Sequence, residues 1–232
     1  LALTNSGSVS TSSGVQADGT FDISGLGAGT SITSLSGAGT GVVNLGFNTL
    51  TISNASALDT FSGVIQGSGG LTLTAGTETL GGTNTYTGAT TLNGGTLALT
   101  GTGSIAASSG VAVGATATLD ISQTTAGASI KRLSGSGNVA LGNQVLTLTA
   151  ANDTFSGIIA DGGIGGGTGG GLTLTGTETL SGANTYTGTT TINAASTLNL
   201  SGAGSISGSS VGDNGTLNIS GNASIAMSGV NG

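Results

Sequence analysis

The chain has no cysteine, proline, histidine or tryptophan. Without cysteine there is no disulfide, thiol nucleophile or cysteine-based zinc site, and without histidine there is no Ser–His–Asp triad. Lys131 and Arg132 are the only cations, against nine acidic residues and a net charge of −7. Two adjacent cations cannot neutralise a line of phosphates or hold an anionic lipid surface, so we expect no nucleic-acid partner. No apolar run reaches the roughly 18 residues of a spanning helix, so we expect no direct membrane insertion of this segment.

Small and hydroxyl-bearing residues dominate what is present: 48 Gly, 40 Thr and 31 Ser among 232 residues. Charged residues make up only 5%, which together with so much glycine and serine could indicate disorder. Disordered chains, however, combine low hydrophobicity with high net charge, whereas the mean hydropathy here is +0.33. Apolar surface is therefore available for burial, and the composition favours a folded domain.

The chain repeats itself with a unit of about 100 residues. The matching segments are offset by 94 residues (Asp59 and Asp153) to 101 residues (Leu73 and Leu174). We therefore expect a single segment over residues 1–232, with internal repeats at about 1–96, 97–197 and 198–232. The start at Leu1, inside a strand pattern, suggests a fragment of a longer protein. The matching pairs of segments are 70–74 with 171–175, 77–80 with 177–180, 84–88 with 184–188, 59–63 with 153–157, and 21–24 with both 119–122 and 217–220.

A finer period lies inside each unit. Pairs of apolar residues separated by one residue, such as Leu71 and Leu73, recur about every 19 to 26 residues with Gly, Asn, Ser and Asp between them. Alternation of this kind predicts short strands, and turn residues fill the intervals. An antiparallel sandwich and a stacked coil both fit short strands, but nested repeats favour the coil, because stacked coils share one core. The predicted fold is all-β: a parallel β-helix of roughly ten coils.

A longer motif occurs twice, at residues 69–99 and 170–200. It reads Gly-Leu-Thr, then Thr-Leu-x-Gly-x-Asn-Thr-Tyr-Thr-Gly-x-Thr-Thr, an apolar residue, Asn and Thr-Leu. The motif resembles the autotransporter-associated β-strand repeat, also called the passenger-associated transport repeat. Members often carry lysine where this chain has Leu73 and Leu174. The resemblance implies a right-handed β-helix from the secreted passenger of a bacterial type V autotransporter, followed by an outer-membrane barrel that this segment lacks.

A search for reactive groups predicts no catalytic, cofactor-binding or metal-binding residue. Lys131, the one candidate base for a Ser–Lys pair, is interpreted with Arg132 as a solvated cation. The acidic residues are scattered along the sequence. Asp22 and Asp120 lie between apolar neighbours and are expected to point outward. Glu78 and Glu178 occupy equivalent positions in the two copies, which favours an architectural role over a chemical one. The glycine-rich stretch at 161–171 lacks the aspartate that follows the glycines in a calcium-binding roll and is interpreted as a flexible loop between coils. The chain is thus predicted not to be an enzyme.

The leading functional hypothesis is an extracellular structural or adhesive rod on a bacterial surface, able to self-associate or stack into filaments. One alternative is a module that binds a glycan or the host matrix, for which Tyr86 and Tyr186 could stack on sugars; packing inside the solenoid is the competing interpretation. The other alternative is an ice-binding β-helix. Its candidate hydroxyl pairs are Thr72/Thr74, Thr85/Thr87, Thr173/Thr175 and Thr185/Thr187, and their unequal spacing argues against a regular array.

Overall fold

Every ladder of the structure, a computed structural model, is parallel. The structure describes residues 1–56 and 59–225, which contain no helix long and apolar enough to cross a membrane. Within these residues there are 26 strands. In chain order they are β1 (Ala2–Asn5), β2 (Val15–Gln16), β3 (Thr20–Leu26), β4 (Thr30–Ile32), β5 (Leu35–Ser36), β6 (Val42–Asn44), β7 (Leu50–Ile52), β8 (Thr60–Phe61), β9 (Val64–Gln66), β10 (Leu71–Leu73), β11 (Thr77–Leu80), β12 (Thr90–Leu92), β13 (Gly95–Gly101), β14 (Val111–Val113), β15 (Ala117–Thr124), β16 (Ala128–Ile130), β17 (Leu133–Gly135), β18 (Asn138–Ala140), β19 (Val145–Ala151), β20 (Thr154–Phe155), β21 (Ile158–Ala160), β22 (Gly171–Leu180), β23 (Thr190–Ile192), β24 (Thr197–Leu200), β25 (Val211–Asp213) and β26 (Thr216–Ile219).

The strands stack into a β-solenoid of about 11 turns, which confirms the predicted parallel β-helix at close to the expected number of coils. Each turn has three sides. Side one holds β1, β3, β6 and β9 below, and β16, β19, the start of β22, β23 and β25 above. Side two holds β4, β7, β10, β12, β14, β17, β20, the end of β22, β24 and β26. Side three holds β2, β5, β8, β11, β13, β15, β18 and β21.

The core is a set of apolar columns that run along the axis. On side two, Ile32, Ile52, Leu73, Leu92 and Val113 stand directly over one another and are at most 1% exposed. Alternate residues of these short strands point inward, so each turn contributes a few apolar side chains to one continuous core. No single coil could bury this surface by itself, and the stacking therefore stabilises every coil through its neighbours.

The repeated Asn-Thr-Tyr motif replaces a strand on one side of its turn. The Asn84 amide oxygen accepts from the Ile65 N–H at 2.9 Å, and the amide nitrogen donates to the carbonyls of Gly82 and Ser104 at 3.0 Å each. Asn184 accepts from the Ile159 N–H at 2.9 Å in the same way in the second copy. A buried side-chain amide thus satisfies backbone groups that a regular ladder would otherwise pair. This part of the motif is architectural.

Equivalent residues of the two copies lie on different sides of the solenoid. Leu80 stands on side three in register with Phe61 and Leu99, but its counterpart Leu180 stands on side two. From Phe21 in β3 to its counterpart Leu119 in β15, the chain climbs four turns and two further sides. The repeat therefore spans four and two-thirds turns, and each copy is turned by one side relative to the copy before it.

Candidate functional surface

Side two carries one outward polar column through both copies. The central residue of each strand on this side faces out, because its two neighbours face the core. All of these central residues except Ala112 bear a hydroxyl or an amide. Ten rungs have nine spacings of about 4.8 Å, so the column is roughly 43 Å long. We call it the long polar ladder; its members in order are Ser31, Thr51, Thr72, Thr91, Ala112, Ser134, Thr154, Thr179, Asn199 and Asn218.

The hydroxyls at the start of this ladder face outward. Among the described residues, none donates or accepts a side-chain hydrogen bond with Ser31, Thr51, Thr72 or Thr91. The four side chains are half-buried by their neighbours along the column. Each hydroxyl can both donate and accept a hydrogen bond. The start of the ladder therefore offers an ordered row of four unbonded hydroxyls, whereas at its end the Asn199 amide donates to the Thr179 hydroxyl at 3.4 Å and the Asn218 amide donates to Asn199 at 2.9 Å.

A neighbouring column on the same side uses its hydroxyls internally. Ser53 donates to the carbonyl of Ile32 at 3.1 Å, and Thr74 donates to that of Ile52 at 3.2 Å. Thr33, at the foot of the column, donates to the Ser12 carbonyl at 2.7 Å. These bonds tie one coil to the coil below. The structure thus separates two kinds of hydroxyl side chain that the sequence does not distinguish. One kind donates a hydrogen bond to the coil below, and the other faces outward without a hydrogen bond to any described residue.

Side one carries a second, shorter hydroxyl ladder. Ser129, Thr147, Thr173 and Thr191 follow one another in register and are the second-copy counterparts of Ser31, Thr51, Thr72 and Thr91. They likewise have no side-chain hydrogen bond within the described part of the chain. We call this row the short polar ladder.

The predicted threonine pairs divide between two environments. Thr72 and Thr173 stand on the polar ladders, with Thr74 and Thr175 beside them on the same strands or at their ends. Thr85/Thr87 and Thr185/Thr187 belong to the Asn-Thr-Tyr motif, and Thr187 binds the Asp161 carboxylate at 2.6 Å. Unequal spacing of the pairs in the sequence does not disturb the ladders, because Ser31, Thr51, Thr72 and Thr91 are in register although the turns between them differ in length.

Both tyrosines are inside the solenoid. Tyr86 and Tyr186 are 0% exposed, and their hydroxyls lie 2.6 Å from the hydroxyls of Thr90 and Thr190. Burial raises the pKa of each phenol above its ordinary value, and the threonine bond offsets part of that rise. A ring in this position cannot stack on an external sugar, so the structure supports the packing interpretation.

Two glutamates point into the core. Glu78 and Glu178 are 0% exposed, and no carboxyl oxygen of either has a hydrogen-bond partner among the described residues. Glu78 is in register with Leu97 above, and Asp59 lies one rung below. Burial raises the pKa of Glu78 to about 9, Asp59 adds to the rise, and the Leu35 backbone offsets part of it without reaching hydrogen-bonding geometry.

The second copy has the same arrangement. Burial raises the pKa of Glu178 to about 8, and Asp153 one rung below adds to the rise. Burial therefore favours the protonated, uncharged form of both glutamates at neutral pH. The sequence contained a signal for this, since alternation in Thr77–Leu80 places Glu78 on the same face as Leu80.

The glycine-rich loop between β21 and β22 is folded back over side three. The Ile164 N–H donates to Asp120 at 2.6 Å, and the Gly165 N–H donates to the Ser122 hydroxyl at 2.8 Å. Asp120 points outward, as predicted, but the loop leaves it only 2% exposed. Asp161 accepts from the N–H groups of Gly169 and Gly170 at 3.2 and 2.9 Å. The Asp161 bonds close the loop on itself, and the bonds from Ile164 and Gly165 anchor it to β15.

The remaining predicted groups are dispersed. The Lys131 ammonium donates to the Ala107 carbonyl at 2.8 Å, while Arg132 is exposed in a groove on side two with Ser134 and Asp153. In residues 1–56 and 59–225, no three or more acidic side chains come close enough to hold a metal ion. Comparison with protein-family models, curated proteins and solved structures finds no match to this chain.

Proposed function

We propose that this chain is a non-catalytic, extracellular rod of a bacterial surface, the passenger of an autotransporter, and that it associates with further copies of itself. The long polar ladder carries the proposal. It is a column of about 43 Å whose members carry no charge and whose first four hydroxyls make no hydrogen bond with any residue that the structure describes. The motif at 69–99 and 170–200 supports the autotransporter assignment by its resemblance to passenger repeats.

Self-association fits the chemistry of the ladder. Two copies of the solenoid have the same rung spacing, so two ladders laid side by side match rung for rung. Hydroxyls on both can donate and accept, and the ladder itself has no charge to oppose contact. Many weak hydrogen bonds along a stiff line give adhesion without a pocket.

Light scattering of the purified chain at rising concentration tests this function. We expect the mean mass of the particles in solution to rise with concentration, because association follows mass action. A chain that stays monomeric at every concentration contradicts the proposal.

Ice binding is a second candidate, favoured by the regular spacing of Ser31, Thr51, Thr72 and Thr91. Thermal hysteresis of a dilute solution distinguishes the two functions. A freezing-point gap that is lost in Thr51→Lys/Thr72→Lys supports ice binding, and its absence leaves self-association as the function of the ladder.

A further inference from the structure

The hydroxyl ladder occurs twice, on two sides that are not parallel. Thr51 and Thr72 stand on side two, whereas their counterparts Thr147 and Thr173 stand on side one. The cause is the length of the repeat, which turns each copy by one side. Along the axis, equivalent residues of the two ladders, such as Ser31 and Ser129, are four and two-thirds turns apart, or about 22 Å at 4.8 Å per turn.

Side three presents a different surface. The glycine loop crosses it, held by the bonds from Ile164 and Gly165 to Asp120 and Ser122. Ile164 itself is 54% exposed and, with Thr79 and Thr100, lines a groove on that side. A loop standing above the strands keeps a second flat solenoid from lying along this part of side three.

We propose that the chain is bivalent: sides one and two each bind a further copy of the chain, and side three does not. This inference rests on the self-association proposed above and adds its valency. The occupant is a second copy because each ladder is complementary to itself in hydrogen bonding and in rung spacing. The first-copy strands that form the long ladder, β4, β7, β10 and β12, contain no charged residue.

Bivalence changes the kind of assembly. A contact in which a surface binds its own copy closes after two subunits if there is only one such surface. With two such surfaces on different sides, each subunit bound through side two still offers side one. The assembly therefore continues as an open chain of solenoids.

Lysine substitutions on one ladder at a time test the valency. The variants are Thr51→Lys/Thr72→Lys on side two, Thr147→Lys/Thr173→Lys on side one, and all four together. Thr77→Lys/Thr96→Lys is the matched control, since it places the same two charges at outward strand positions of side three. Sedimentation velocity gives the size distribution of each, and circular dichroism confirms that each is folded.

We expect the unsubstituted chain and the control to form a series of species beyond the dimer. Each two-site variant should stop at a dimer, and the four-site variant should be a monomer. An unsubstituted chain that itself stops at a dimer overturns bivalence while leaving self-association standing. A chain that never associates overturns both. Loss of assembly in the side-three control overturns the assignment of the contact sides.

Discussion

Replacing Glu78 and Glu178 with glutamine should remove most of the pH dependence of the stability of this solenoid. Both carboxyls are fully buried and have no hydrogen-bond partner in the described part of the chain, so we expect them to stay protonated in the folded chain. In the unfolded chain they ionise near the ordinary pKa of 4.5. Below pH 4.5 both states are protonated and the glutamates cause no pH dependence. Between 4.5 and the folded pKa of about 9 for Glu78, or about 8 for Glu178, folding must take up protons.

The free energy of unfolding should therefore fall as the pH rises through this window. Each glutamate contributes a fall of about 1.4 kcal/mol per pH unit. At pH 7, two and a half units above the ordinary value of 4.5, each costs about 3 kcal/mol relative to acid conditions. Glutamine is neutral at every pH and avoids this cost. The double variant should thus match the parent near pH 4 and exceed its stability at pH 7.

Denaturant titrations followed by circular dichroism at pH 4, 5, 6, 7 and 8 measure the effect. Asp213→Asn is the matched control, because it removes an exposed carboxylate and should leave the slope unchanged. Infrared spectroscopy at pH 7 should show a protonated-carboxyl band in the parent that is lost in Glu78→Gln/Glu178→Gln. If parental stability rises from pH 5 to 8, or the double variant keeps the parental slope, the glutamates are ionised in the folded chain.

Three further substitutions test the packing by denaturant unfolding. Gly76→Ala should destabilise the fold by more than about 1 kcal/mol, because Gly76 has φ +80° and a Cβ there would meet the Ala55 carbonyl oxygen. Gly19→Ala is the control and should be nearly neutral, because a Cβ at Gly19 would meet open space. Equal effects of the two substitutions would contradict the close contact of Gly76 with the coil below. Asn84→Ala should cost about 1–3 kcal/mol because it leaves the buried Ile65 N–H without its acceptor, and a neutral result would show that water replaces the amide. Leu73→Ala should cost about 2–5 kcal/mol through a core cavity, and a loss below 1 kcal/mol would indicate a loosely packed core.

The fold was predictable because it depends on local signals that repeat. Alternation in Leu71–Leu73 and its counterparts identifies strands, and their recurrence about every 20 residues identifies coils. The buried positions followed from the same alternation. The rotation of each copy by one side could not be predicted, because it depends on how many sides of the solenoid one repeat occupies. Short segments such as the one around Asn84 occupy a side without forming a strand, so counting predicted strands gives the wrong number.

The surface was less predictable than the core. Thr72 and Thr74 are two residues apart and chemically identical, yet the Thr74 hydroxyl donates to the Ile52 carbonyl while the Thr72 hydroxyl has no partner within residues 1–56 and 59–225. Which of the two hydroxyls is left to bind another molecule depends on the coil below, because the carbonyl that accepts from Thr74 belongs to a residue about 20 positions earlier in the chain. The folded-back course of the glycine loop was also hidden, since Asp120 and Ser122, which hold it, lie more than 40 residues earlier.

The length of the repeat links the architecture to the proposed assembly. A repeat of a whole number of turns would place equivalent hydroxyls of every copy on the same side of the solenoid, and no second side would carry a copy of that hydroxyl row. With two-thirds of a turn left over, β22 of the second copy puts Thr173 on side one and Thr179 on side two within a single strand. Thr179 then extends the column begun by Ser31, Thr51 and Thr72, so the long ladder is made of non-equivalent residues from two copies. Hydroxyl or amide side chains at outward positions of strands from both copies therefore keep side two polar from β4 to β26, with Ala112 as the one apolar member of the column.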